Sequence, residues 1–170
     1  LEKARALAEA AAEGEVCTVA NDNDPGQVVI SGHKAAIDRA VALVKDFGIK
    51  RGVLLPVSAP FHCPLMQPAA DAMAEALATA DLRAPLVPVY ANVTAAPVAD
   101  PDAIRALLVE QVTGTVRWRE SVAAMFAAGV HDYVELGGKV VGAMVKRTAP
   151  DATATSVISM DDIEALAKAL

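Results

Sequence analysis

The chain has 170 residues, 54% of them hydrophobic but only 4% aromatic, enough to bury a core built mostly from aliphatic side chains and alanine. A net charge of −6 and a pI near 5.0 argue against recognition of nucleic acid through a basic face. No apolar run reaches the roughly 18 residues of a membrane span, and no charged leader with an apolar core precedes the domain, so a cytoplasmic protein is expected.

In chain order, residues 1–13 predict a helix closed by Gly14, glycine being the usual residue just past a helix end. Strands follow over Val16–Ala20 and Gln27–Ser31, and Asn21-Asp22-Asn23-Asp24-Pro25-Gly26 between them is dense turn chemistry. An amphipathic helix from about Lys34 to Phe47 places Ile37, Ala40, Val41, Val44 and Phe47 on one face. Gly52–Val57 reads as the next strand. The order α-β-β-α-β is a ferredoxin-like β-α-β-β-α-β unit without its first strand. A central strand is not dispensable, because its neighbours would expose unpaired edges. The chain therefore reads as the C-terminal portion of a larger protein, with a partial small subdomain over 1–57 and part of a large α/β subdomain over 58–170.

In the second half, a helix runs from about Met66 to Ala80 and a short strand over Val87–Ala91. Asp100-Pro101 opens a helix as cap and first residue, with Ile104, Leu107 and Leu108 inward, ending near Val112. Further helices are expected over Trp118–Ala128, Lys139–Thr148 and Ile163–Leu170, and strands over Asp132–Leu136 and Thr155–Ile158. Strands alternating with helices imply a mainly parallel sheet. Cys17 and Cys63 lie in different motifs without metal-ligand spacing and read as reduced thiols.

One stretch concentrates chemistry: Ser58-Ala59-Pro60-Phe61-His62-Cys63-Pro64-Leu65-Met66. Pro60 and Pro64 restrict the backbone on both sides of His62, which holds a titratable imidazole where a strand ends and a helix begins. A structural loop histidine is the alternative. His33 and His131 read as structural. Cys63 adjoins His62, but neighbours at a turn point apart, so it reads as a packed thiol.

These residues, with Pro68-Ala69-Ala70, resemble the histidine segment of the malonyl-CoA:acyl carrier protein transacylases. Val19-Ala20-Asn21-Asp22-Asn23-Asp24-Pro25-Gly26-Gln27-Val28-Val29-Ile30-Ser31-Gly32-His33 is a second match. Asn92-Val93-Thr94, Glu110-Gln111-Val112, Val116-Arg117-Trp118 and Glu135-Leu136-Gly137-Gly138-Lys139-Val140 follow in the family's order. The resemblance covers nearly the whole chain. It implies an α/β fold, a ferredoxin-like subdomain beside an α/β hydrolase-like acyltransferase core, and malonyl transfer through a malonyl-serine intermediate in fatty acid biosynthesis.

By the same resemblance His62 is the general base, and the backbone oxygen of Gln111 orients it; the rival reading of Gln111 is a helix-end residue facing solvent. Phe61 narrows the acyl pocket in favour of malonyl, or packs in the core. Asn21 and Asn23 line a substrate cleft, or serve only the turn. No cofactor or metal is implied, since CoA enters as part of the substrate. The implied partners are malonyl-CoA, an acidic acyl carrier protein docking near Lys34, Lys50 and Arg51, and the missing N-terminal half of the same enzyme.

Three features depart from the family. No Gly-x-Ser-x-Gly elbow occurs, the oxyanion-hole glutamine and malonate-binding arginine are missing, and the Glu135–Lys139 turn is one residue short. Two rivals remain: an acyltransferase domain of a polyketide or multidomain synthase, and a non-catalytic fragment that binds carrier protein or CoA.

Overall fold

Alternation of small apolar and polar residues builds the first half. The computed structural model describes residues 1–169; the expected helix end at Leu170 lies outside them. Helix α1 (Glu2–Ala12) ends in a left-handed Glu13-Gly14 pair. Strands β1 (Cys17–Asp24) and β2 (Gln27–Gly32) pair antiparallel, and α2 (Lys34–Leu43) lies against them. Leu7, Ala8, Ala11, Cys17, Ala36 and Ala40 form one core, with Ile30, Ile37, Val44 and Phe47 packed around it. The fully buried alanines are what let two helices and a hairpin close tightly with so few aromatics.

The hairpin departs from expectation in one way. β1 continues through Asn21-Asp22-Asn23 to Asp24, with register shifts on the way, and only Pro25-Gly26 turns. Asp24 Oδ1 accepts the Gly26 N–H at 2.8 Å, which closes that turn. The extra strand length is held from outside the hairpin. The Asp22 N–H donates to the Val116 oxygen, and the Val116 N–H donates to the Ala20 oxygen, each at 2.8 Å.

Gly52–Val57 is a correction: it forms no strand. Val53, Leu54, Leu55 and Val57 are each more than half exposed. The composition suits a strand, but a strand needs a paired neighbour, and the described residues provide none here.

A 3₁₀ turn (Pro64–Met66) leads into α3 (Gln67–Ala78), then β3 (Val89–Ala91) and β4 (Ala96–Val98), an antiparallel pair in which β4 was not anticipated. Helix α4 (Pro101–Thr113) starts as expected, with Asp100 accepting the Ala103 N–H at 2.8 Å. Leu108, expected inward, is 44% exposed. Then come α5 (Trp118–Ala127), β5 (Asp132–Leu136), α6 (Val141–Thr148), β6 (Thr153–Val157) and α7 (Met160–Ala169). β5 and β6 are parallel, but among the described residues the strands form three separate two-stranded sheets rather than one parallel sheet. Val122, Val145, Ala149 and Ala152 make a second core beneath β5.

Two ion pairs join the halves. β1 alternates, so Asp22 and Asp24 point inward while Asn21 and Asn23 stay half-buried on the other side. Asp22 takes Arg119 of α5 through both oxygens, and Asp24 takes Arg147 of α6 at 2.8 Å. No helix among the described residues is long and apolar enough to cross a membrane.

Candidate active site

The turn that carries His62 is anchored by its neighbour. Cys63 is fully buried, and its thiol donates to the Pro60 oxygen at 3.1 Å. The Met66 N–H donates to the Cys63 oxygen at 3.0 Å, which starts the 3₁₀ turn. Between the prolines His62 takes a left-handed conformation, φ +57°, costly for a residue with a Cβ. The kink sends Cys63 into the protein and leaves His62 half-buried.

The imidazole then meets the end of α4. The last four carbonyls of a helix lack intrahelical partners. Glu110 oxygen is taken by the Gly114 N–H at 2.9 Å, and the next one, Gln111 oxygen, lies 3.0 Å from His62 Nδ1. A carbonyl only accepts, so in this contact Nδ1 is the donor. Gln111 is thus half-buried against His62 and does not face solvent. Its side-chain Nε2 also donates to the Gly114 oxygen at 3.1 Å.

The segment after Gln111 is fixed to β1. Thr115 Oγ1 donates to the Val19 oxygen at 2.7 Å, one residue before the Val116 bridge described above. Arg117 donates to the Val93 oxygen at 3.1 Å and pairs with Glu120, and its N–H reaches the Asn92 oxygen at 3.0 Å. Hydrogen bonding to Glu120 raises the Arg117 pKa, and the same bond lowers that of Glu120. The guanidinium is committed to this framework. An open depression of about 320 Å³ beside it is lined by Arg5, Asp22, Val93, Thr115, Arg117 and Glu120, among others, but not by His62.

Phe61 is 45% exposed, so it is not spent on the core. Asn23 Nδ2 lies 3.4 Å from Gln27 Oε1 across the hairpin, and Asn21 joins the backbone bridge to Val116. Neither asparagine is a hydrogen-bond partner of His62 among the described residues. His33 Nδ1 accepts the Val16 N–H at 2.9 Å, and His131 stacks edge-on with Phe126; both are structural.

Sequence reasoning missed the Asp22 and Asp24 ion pairs, because the Asn-Asp-Asn-Asp stretch reads as turn chemistry. It also missed Glu135. Its carboxylate accepts the N–H groups of Val140, Val141 and Gly142 at 2.7, 3.1 and 2.9 Å. It thus stabilises the start of α6, and those hydrogen bonds, Val140 first, hold its pKa below the usual range.

Residues 2–160 match the family model described as the acyl transferase domain. The chain is 47% identical over 163 residues to the malonyl CoA-acyl carrier protein transacylase of Escherichia coli K12, an alignment covering 95% of this chain and 52% of that protein. The acyl-carrier-protein-S-malonyltransferase of Bartonella henselae superposes with a TM-score of 0.93 at 47% identity, covering 99% of this chain and 54% of that one. A malonyl-transacylase solved in complex with its type II PKS acyl-carrier protein superposes at 0.95, with 35% identity and 55% of its own chain covered. The chain thus spans about half the length of these relatives.

Proposed function

Because the chain belongs to the acyl transferase domain family, we propose that it is the C-terminal part of an enzyme that transfers malonyl from malonyl-CoA to the phosphopantetheine thiol of acyl carrier protein. The observation that carries this reading is the His62 Nδ1 to Gln111 oxygen contact of 3.0 Å. It is a base held in one tautomer by a main-chain acceptor.

In this reading a serine supplied by the missing N-terminal half attacks the malonyl thioester carbonyl. His62 Nε2 takes the serine proton as the C–O bond forms. The tetrahedral intermediate then collapses, the C–S bond breaks, and the imidazolium returns the proton to the CoA sulfur. The carrier thiol repeats the sequence in reverse: it gives its proton to His62, attacks the malonyl-serine ester, and the serine oxygen leaves with that proton. Base catalysis of this kind contributes about 10² to 10⁴ in rate. The chemistry needs no metal or redox group, and CoA takes part only as substrate.

Phe61 would crowd a methyl branch on the acyl group, a preference of about 1–3 kcal/mol for malonyl. Asn21 and Asn23, half-buried on the face of β1 away from the ion pairs, would line the substrate cleft. The self-contained core of α1, α2 and the hairpin supports a small subdomain over 1–57 of ferredoxin-like type, and the parallel β5–β6 pair supports a piece of an α/β hydrolase-like core over 58–170. Lys50 and Arg51 are exposed and would face an acidic carrier protein, whereas Lys34 is already paired with Asp38 at 2.6 Å.

The missing N-terminal half would cover the open side of the sheet. Parallel strands are ordinarily buried on both faces, yet Val134 and Leu136 of β5 are 46% and 76% exposed. Leu54 and Leu55 add further bare apolar surface.

The test is intact-mass measurement of this chain co-produced with its N-terminal half and mixed with malonyl-CoA. One malonyl group should be gained, and His62→Ala should slow its transfer to carrier protein by about 10² to 10⁴. Tight binding of CoA or carrier protein without acylation would instead favour the non-catalytic binding module.

A further inference from the structure

Gln111 approaches His62 at two points. Its backbone oxygen lies 3.0 Å from Nδ1, and its side-chain Nε2 lies 3.3 Å from the same nitrogen while donating to the Gly114 oxygen at 3.1 Å. Nδ1 cannot both donate to the carbonyl and accept from the amide. The shorter contact and the firm Gly114 acceptor leave the amide with the turn rather than with the ring. The other end of the amide is anomalous, because Oε1 is buried with no hydrogen-bond partner. Buried polar atoms are seldom left bare. Rotating the amide by half a turn would bring Oε1 3.3 Å from Nδ1, but it would also set it 3.1 Å from the Gly114 oxygen, acceptor against acceptor, and give up the hydrogen bond to the turn.

The amide is therefore held with its N–H groups inward and its oxygen unsatisfied, at the one residue whose main chain holds the imidazole. The turn it grips has no slack. A Cβ added at Gly114 would lie 2.8 Å from Val93 Cγ1 and 2.9 Å from the Glu110 oxygen.

We propose that the Gln111 side-chain amide is a positioning residue for the transfer reaction. By clasping Gly114 it locks the last turn of α4, keeps the residue 111 carbonyl on Nδ1, and so keeps Nε2 bare for proton removal. This rests on the reading of His62 as the base. An unlocked carbonyl would let the ring relax toward the Nε2–H tautomer that free imidazole prefers, which cannot accept the serine proton at Nε2.

The experiment uses the assembled enzyme, this chain with its N-terminal half, carrying Gln111→Met. That variant keeps the side-chain length and removes both amide ends. Ring ¹⁵N shifts of His62 report the tautomer, and kcat and KM are measured separately. The Nδ1–H fraction should fall, and kcat should drop by up to about 10²-fold with KM unchanged. A second variant, Gln111→Asn, keeps the amide but is too short to reach Gly114. It should show the same two effects, and it carries the test should Gln111→Met not fold. A tautomer and kcat that stay at wild-type values would overturn the proposal. So would a rise in the Nδ1–H fraction, which would show the amide to be a competing donor and not a brace. Full activity in His62→Ala would sink the base reading itself, while the tautomer shifts would still report on the clasp.

Discussion

The Arg119 guanidinium grips the Asp22 carboxylate through both oxygens, at 2.7 to 3.0 Å, and the carboxylate side chain is only 2% exposed. Asp22 belongs to the first half of the chain and Arg119 to the second, so this pair fixes how β1 sits on α5. Hydrogen bonding to Asp22 raises the Arg119 pKa further, although a guanidinium is already charged throughout the accessible pH range. Arg119→Met leaves a buried carboxylate unpaired and should cost about 3 kcal/mol in chemical denaturation. The double variant with Asp22→Asn should recover part of that loss, because it removes the stranded charge. Equal stability of Arg119→Met and wild type would mean the pair contributes nothing.

Glu135 makes the start of α6 pH-sensitive. Its folded pKa is depressed, so its stabilising effect is fully present above the ordinary glutamate value of about 4.3 and disappears as pH falls through the lower folded value. Glu135→Gln should therefore be less stable than wild type at neutral pH and should lose less on acidification through that window. Parallel acid titrations of the two proteins, followed by amide exchange at Val140 to Gly142, would reveal it. Coincident acid limbs would remove the carboxylate from the account.

At position 62 function and backbone comfort conflict. With φ at +57°, a glycine relieves the left-handed strain that histidine or alanine bears, a difference of about 1 kcal/mol. His62→Gly should thus be more stable than His62→Ala by about that amount, although both lose the imidazole. Denaturation midpoints of the two variants decide it. Equal midpoints would show that the turn relaxes once the imidazole is gone.

Gly114→Ala should be poorly tolerated although its φ is −88°, because the added methyl meets Val93 and the Glu110 oxygen. Overpacking of this kind costs about 1–3 kcal/mol. A crystal structure of the variant should show the end of α4 displaced from His62. An undisturbed Nδ1 to Gln111 contact would argue that Val93 alone gives way.

Local signals in the sequence were read well where the answer is local. Asp100-Pro101 starts α4 because an aspartate cap and a first-position proline act within one turn, and Pro60 and Pro64 fix the histidine turn for the same reason. The pairing of His62 with Gln111, 49 residues apart, came from family resemblance and not from any pattern near either residue. Gly52–Val57 failed because a β-forming composition says nothing about whether a partner strand is present. Asp22 and Asp24 were hidden inside what reads as turn chemistry. Only a strand that runs on to Asp24 gives the alternation its meaning, and that extension depends on the distant Val116. Glu135 was invisible because its three backbone donors come from a helix start that the short Gly137-Gly138 turn brings back over it.

The half-bare β5–β6 sheet also bears on how the chain behaves when made alone. A parallel pair with no further strand on either edge among the described residues, together with the exposed apolar run at 53–57, is a template on which any extended segment can add, including one from another molecule of the same chain. Solitary expression should therefore drive self-association that worsens with concentration. Co-synthesis with the polypeptide that fits the sheet should act as a chaperone by occupancy, because filling the edge removes the template.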